Sequence, residues 1–311
     1  MPKPTLSIVI ATHNRAKFLP ELLHSLESQL TNEIEVIIVD DASQDNTQEV
    51  LLELQGNYSS VKIIHLEENV GPGTARNTGI NVSKGRFIAI QDDDDLPHPN
   101  RFSQQKKMLE TYPDVDITFS SVAWINHNKE VFNIFPGIMT RHEFPQNPDE
   151  VFKLLYTKGN KIPNTTLMVR REVIEKHGGY PEYPRIGEDW FLCMKWAALG
   201  KRMLVNYEPL VYQLRDLNHF SLMKNANLAI EAQRIVLKMI RNFLKEHQIQ
   251  RFDALHKLAF SNQYVREARI RSRFHGIYLC LYALSIMPGN AYAWDTLHWL
   301  IRKGVKKIFP K

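Results

Sequence analysis

Two spacings of apolar residues alternate along the first third of the chain. Leu6-Ser-Ile-Val-Ile-Ala11 is a nearly unbroken apolar run that stops at Thr12-His13-Asn14-Arg15. Such a run, bounded by polar residues, predicts a strand buried on both faces. Phe18, Leu19, Leu22, Leu23 and Leu26 then recur at helical spacing. The cycle continues with strands expected over 34–39, 61–66 and 87–90, and helices over 47–54 and 74–82. Repeated strand–helix alternation predicts a parallel α/β sheet with right-handed crossovers.

From Asp116 the rhythm changes. Short β-like segments (117–124, 165–169, 203–207, 210–214) surround helices expected near 148–156 and 188–199, which predicts a mixed sheet extending the first. Residues 225–311 read as about four helices, with breaks near 247–251, 272–276 and 288–290. A boundary is expected near residue 220, dividing a 1–220 α/β domain from a 221–311 α-helical region.

Composition changes this picture mainly by exclusion. With 43% hydrophobic and 23% charged residues among 311, the chain can bury a large core and is neither disordered nor collagen-like. Only Cys193 and Cys280 occur, so no disulfide framework or Cys-based zinc site is expected. That fits a reducing, cytoplasmic compartment, and the first residues show no signal h-region. The longest apolar stretch, 277–287, falls short of the about 20 residues that span a bilayer, so a core helix is expected there. The net charge of +5 permits anionic partners; the preferred reading is a slightly basic protein with no nucleic-acid partner.

The chemistry-bearing residues sit just after the strands: Thr12 to Arg15, Asp40-Asp41, and Asp92 to Asp95. Ligands of open α/β sheets bind outside the carboxyl ends of the strands, so the three clusters should converge on one crevice. Four adjacent carboxylates repel one another unless solvated or bound to a cation. Hard oxygen donors favour Mg²⁺ or Mn²⁺, and Mg²⁺ typically takes one or two carboxylates plus phosphates. Alternate residues of an extended backbone share a face, which pairs Asp92 with Asp94; a solvated acidic turn is the plain alternative. Asp40 is placed to accept from a base N–H or a ribose hydroxyl, whereas Ser43 or Asp45 would cap the next helix. Asn69-Val-Gly-Pro-Gly-Thr-Ala-Arg76 reads as a turn or as a phosphate loop opening a helix, and matches neither the Walker A nor the Rossmann pattern. Glu188-Asp189 opens an apolar helix; acids there suit the helix dipole, or Asp189 serves as a general base.

Taken in order, Ser7 to Arg15, Val39 to Thr47, Asn69 to Gly79, Ser83 to Asp95 and Gly187 to Trp190 resemble a family 2 (GT-A) glycosyltransferase of the bacterial surface-polysaccharide type. The resemblance covers residues 5 to about 200. It implies a GT-A fold, a Rossmann-like mixed sheet flanked by helices. It also implies inverting transfer from a nucleotide-sugar, a UDP-sugar, to a hydroxyl of a glycan or lipid-linked saccharide. Thr12, Asn14 and Asp40 would line the nucleoside pocket and Arg76 would close it, with Arg15 and Asp93 among the donor contacts. Asp92 would face the ribose and Asp94 a divalent metal, Mn²⁺ or Mg²⁺, with His219 as a further ligand; the register Asp93/Asp95 stays open. Asp189 would be the base.

Two rival readings bear on the same residues. A sugar nucleotidyltransferase should carry a Gly-rich loop where Thr12-His-Asn-Arg15 stands. A non-catalytic interaction protein should have lost acids such as Asp40, Asp92, Asp94 and Asp189. At the other end, Trp294, Leu297, Leu300 and Ile301 recur at helical spacing before Arg302, Lys303, Lys306, Lys307 and Lys311. An amphipathic basic end could hold the chain peripherally at an anionic membrane face, although a core-packed helix with a solvated tail is the plainer reading.

Overall fold

The four apolar runs form the parallel strands they predict. The computed structural model describes residues 4–58, 60–215 and 226–308. Strands β1 (Leu6–Thr12), β2 (Ile34–Asp40), β3 (Val61–His65) and β4 (Phe87–Asp92) lie in the order β3-β2-β1-β4, all parallel. Helices α1 (Leu19–Glu27), α2 (Thr47–Asn57) and α3 (Pro72–Val82) make the crossovers. Ile8, Ile10, Val36, Ile38 and Phe87 pack with Leu22 and Leu26 of α1 in one core. Each such side chain gains about 1.5–3 kcal/mol on burial, which drives assembly of this half.

The chain continues through β5 (Asp95–Pro97), α4 (Arg101–Thr111), β6 (Ile117–Ile125), β7 (Val131–Phe135), α5 (Gly137–Thr140), α6 (Pro148–Lys158), β8 (Met168–Arg170), α7 (Arg171–His177), α8 (Glu188–Ala198) and β9 (Met203–Leu214). The sheet extends from β4 as β8-β6-β9-β5, with β7 beside β6. Here β8 runs antiparallel to β4 and β6, while β6 and β9 are parallel, so the extension is mixed as expected.

Two details differ from the pattern reading. The strand expected over 165–169 begins only at Met168, because Asn164–Thr166 form a 3-10 turn in which Thr166 Oγ1 donates to the Pro163 carbonyl. Side-chain bonding of this kind competes with the ladder. The segments 203–207 and 210–214 are one strand, whose register on β6 shifts on either side of Ser121, which pairs with Pro209. Pattern alone also misses β5, β7, α4 and α7. In α4 the buried positions are Arg101, Phe102, Gln105 and Leu109, so half of its inward face is polar and the periodicity is hidden.

The chain divides into two compact units, Met1–Val151 with Lys161–Phe220, and Phe152–Asn160 with Ser221–Lys311. In the second, α9 (Ala226–Glu246), α10 (Leu255–Ala268), α11 (Arg273–Ile286) and α12 (Ala291–Ile308) are the four expected helices. Val265, Cys280, Ala283, Ala293 and Leu297 form their core. The apolar stretch 277–287 falls largely in α11, which buries Cys280 and Ala283 but exposes Tyr278 and Leu281. No described helix is long and apolar enough to cross a membrane. Cys193 and Cys280 are free and buried.

Candidate functional site

The carboxyl ends of β1, β2 and β4 lie side by side: Thr12 is paired with Asp40, and Ala11 with Asp92. The loops that leave them therefore meet. Arg15 reaches the acidic run, its guanidinium 3.5 Å from Asp94 Oδ2 and 3.9 Å from Asp93 Oδ1. Asp93 and Asp94 line a cleft of about 150 Å³ with Phe18, Asn126, Lys129 and Leu214. Burial and the Asp94 charge push the Asp93 carboxyl up to about 7, against the pull of the Thr12 hydroxyl and Arg15. Asp95 turns inward. It accepts from Gln213 Nε2 at 2.8 Å, and burial with the charges of Asp94 and Asp92 holds its pKa well above the usual range.

Asp92 belongs to a different contact set. Arg76 donates to Asp92 Oδ1 and to Glu188 Oε1, both at 2.9 Å, and its guanidinium stacks 5.4 Å from the Tyr180 ring centroid. One buried cation thus ties β4 to the first turn of α8, Arg76 itself lying 112 residues before Glu188. Asn164 Nδ2 also donates to Asp92 Oδ1, and Tyr180 donates to Asn164 Oδ1 at 2.6 Å. Burial and the adjacent Asp189 raise Glu188 to about 7. Asp189 accepts from the Trp190 amide at 2.7 Å, and burial raises its pKa despite that bond and the pull of Arg76. Buried, like-charge carboxylates with raised pKa values are a common feature of functional sites, and structural ion-pair networks share it.

The other predicted residues hold loops. Asn14 adopts a left-handed backbone (φ 56°), and its Oδ1 accepts from the amides of Gln44 and Asp45 at 2.7 and 3.3 Å. Asp40 is fully buried, accepting from the Ser43 amide and facing His65 Nδ1 at 3.2 Å. Neither lines the cleft at Asp93 and Asp94. Residues 69–71 form a turn held from within, because Asp41 accepts from the Val70 and Gly71 amides that a phosphate would need, and Pro72 to Arg76 open α3. Gly71 there has φ 91°, which only glycine adopts without strain. At Gly73 a Cβ would come within 2.9 Å of the Pro181 carbonyl. Asp45 accepts from the Thr47 amide, but the N-cap position of α2 is Asn46, one residue later than the expected cap. His219 lies outside the described residues.

The donor set suits a cation that arrives with a diphosphate. Among the described residues no three His, Cys, Asp or Glu side chains are arranged to hold a metal alone. Asp93 and Asp94 still offer hard oxygens at a cleft, and Mg²⁺-type sites complete themselves with phosphate and water.

The family model for glycosyl transferase family 2 matches residues 7–178, more than half of the chain. The chain belongs to this family. An uncharacterized glycosyltransferase of Methanocaldococcus jannaschii is 30% identical over 57% of this chain and 59% of its own length. The chain thus spans less than two thirds of that relative. Staphylococcus aureus TarS 1-349 in complex with UDP-GlcNAc has the same fold, with a TM-score of 0.64 at 20% identity, over 96% of this chain and 92% of that one. A mannosyltransferase of Pyrobaculum calidifontis, solved with GDP-Man and Mn²⁺, aligns over 99% of this chain and 88% of its own, with a TM-score of 0.56 at 19% identity. The fold of this transferase is accordingly GT-A. Sequence reading missed Asn164, Tyr180, Thr165, whose hydroxyl accepts from the Asp92 amide at 3.2 Å, and the engagement of Glu188 by Arg76. Only Glu188, beside Asp189 in the motif, carried a signal; the others are ordinary polar residues whose role depends on the β8 strand reaching β4.

Proposed function

We propose that this transferase moves a sugar, with inversion, from a UDP-sugar to a hydroxyl of a glycan or lipid-linked saccharide. The observation that carries the reading is the Arg76 bridge between Asp92 and Glu188, which holds the acidic run and Asp189 in one assembly. In this reading Asp92 meets the ribose. Asp94, with Asp93 beside it, faces the diphosphate and its Mn²⁺ or Mg²⁺, and Arg15 adds positive charge there. Thr12, Asn14 and Asp40 shape the nucleoside side, the last two through the loops they brace. A divalent ion, when bound, neutralises charge on the leaving diphosphate.

The chain's own part in the reaction falls to Asp189. Its carboxylate takes the proton of the acceptor hydroxyl as that oxygen bonds to the anomeric carbon, and the bond to the diphosphate oxygen breaks with its electron pair leaving on UDP. A pKa raised by burial makes Asp189 a stronger base than a solvated aspartate. No covalent enzyme intermediate is needed. The acceptor side also supports peripheral binding at an anionic membrane face through α12, where Trp294, Trp299 and Ile301 are exposed. The side chains of Arg302, Lys303, Lys306 and Lys307, and all of Lys311, lie outside those described.

The direct test is calorimetric titration of UDP with and without Mn²⁺, followed by hydrolysis of a nucleotide-sugar panel. UDP binding strengthened by Mn²⁺ and turnover of a UDP-sugar are expected. Preference for a GDP-sugar would overturn the donor assignment, and absence of any nucleotide binding would favour a non-catalytic scaffold.

A further inference from the structure

The helical unit holds a second cleft, lined by none of the residues given a donor or proton-transfer role above. It is a wide, open cleft of about 730 Å³ between α9, the end of α10 and α11. That size falls within the range of small-molecule sites. Its cationic side comes from Arg234 and Arg271, its aromatic side from Tyr264, Tyr278 and Tyr282.

The charges do not cancel. Glu267, only 3% exposed, is ion-paired with both Arg234 and Arg271, so one carboxylate serves two guanidiniums. Arg271 Nη1 also donates to Asn227 Oδ1 at 2.6 Å, which fixes the orientation of its fork. A surplus positive charge is thus held in place by a buried acid rather than left on a swinging side chain. His275 lines the same cleft.

The tyrosines form a built surface. Tyr264 meets Tyr282 edge-on at 4.8 Å, and Tyr282 lies nearly parallel to Tyr278, 16° between planes, with centroids 6.4 Å apart. Tyr278 and Tyr282 remain 62% and 43% exposed. Rings with an apolar face and a polar tip match a pyranose, which presents C–H faces and hydroxyl edges. A guanidinium fork matches a carboxylate or phosphate.

We propose that this cleft binds an anionic saccharide, its rings on Tyr278 and Tyr282 and its acidic group on Arg271 and Arg234. The assignment of this saccharide as part of the acceptor glycan rests on the transfer reading above; the binding itself does not. A single-stranded nucleic acid would need a cationic groove tracking many phosphates, whereas the positive charge here is one local cluster.

The test is calorimetry on the full chain with an oligogalacturonate, a neutral cello-oligosaccharide and a single-stranded DNA oligonucleotide as probes. The oligogalacturonate should bind, and the neutral oligosaccharide about tenfold more weakly or not at all. Tyr278→Ala, at an exposed position, and Arg271→Gln should each weaken oligogalacturonate binding about tenfold while leaving UDP binding unchanged. No oligogalacturonate binding, equal binding of the neutral probe, tighter binding of the oligonucleotide, or indifference to both substitutions would each overturn the proposal. Loss of UDP binding with oligogalacturonate binding retained would instead overturn the transfer reading and leave the cleft standing.

Discussion

Two carboxylates at the site separate by what surrounds them, and their variants should separate in the same way. Asp189 is expected to act on the proton, so Asp189→Asn should keep UDP affinity and lower kcat by about 10²–10⁴-fold. A variant that lost UDP affinity and kept its turnover at saturation would move Asp189 into the donor pocket. Asp94 is expected to act on the donor, so Asp94→Ala should abolish activity, and activity of the parent chain should need Mn²⁺ or Mg²⁺. Full turnover in excess EDTA would remove the metal role. Asp95 behaves differently: its carboxyl is buried on Gln213, so Asp95→Asn, which can still bond to an amide, should cost structure little and leave metal affinity unchanged. That outcome would favour the register Asp92/Asp94 over Asp93/Asp95.

Between elements, Arg76 carries the tie from α3 to β4 and α8. Arg76→Met would leave Glu188 and Asp92 without their shared cation, and breaking a buried pair in this way costs roughly 3–5 kcal/mol. Urea unfolding should show that loss, and Arg76→Lys should recover only part of it, since one ammonium lacks the planar fork that spans two carboxylates. This tie also marks where the sequence ceases to be legible. The strands and crossovers of residues 6–92 follow from apolar periodicity because each buries its own face. Asp92 to Asp95 and Asp189 stand out because charge at a strand or helix end has little structural use. Asn164 and Tyr180 carry no such mark: Asn164 meets Asp92, with Tyr180 bonded behind it, only after β8 pairs antiparallel with β4, a pairing between segments some 80 residues apart that leaves no local period. At the far end, α12 shows exposed Trp294, Trp299 and Ile301, and truncation after Leu300 should reduce co-sedimentation with anionic vesicles at low salt. Equal binding to neutral vesicles, or none to either, would leave α12 as ordinary surface.

For the molecule as a whole, stability and activity should respond to pH in opposite directions. Glu188 and Asp93 have folded-state pKa values of about 7, above the ordinary 4.5 and 3.8, chiefly because burial penalises their charged forms. A carboxyl raised on folding stabilises the fold when protonated, and that contribution fades as pH rises through about 7. The melting temperature should therefore be higher near pH 6.5 than near pH 8, while kcat/KM falls over the same step as the acidic cluster gains protons. His177 and His256, held below their usual range mainly by burial, oppose the stability trend only at more acidic pH. Scanning calorimetry paired with initial rates would check both signs, and a melting temperature that drops with kcat/KM would refute the scheme. One feature of the chain's path matters during synthesis. Phe152 and Tyr156 belong to the second unit and find their partners Phe252 and His256 about 100 residues later. While the ribosome is still adding those residues, the nascent chain must carry two large aromatics without the later partners that they pack against in the finished fold. A stop codon after residue 220 would make that condition permanent, so the shortened product should need a chaperone to stay in solution even though its sheet is complete.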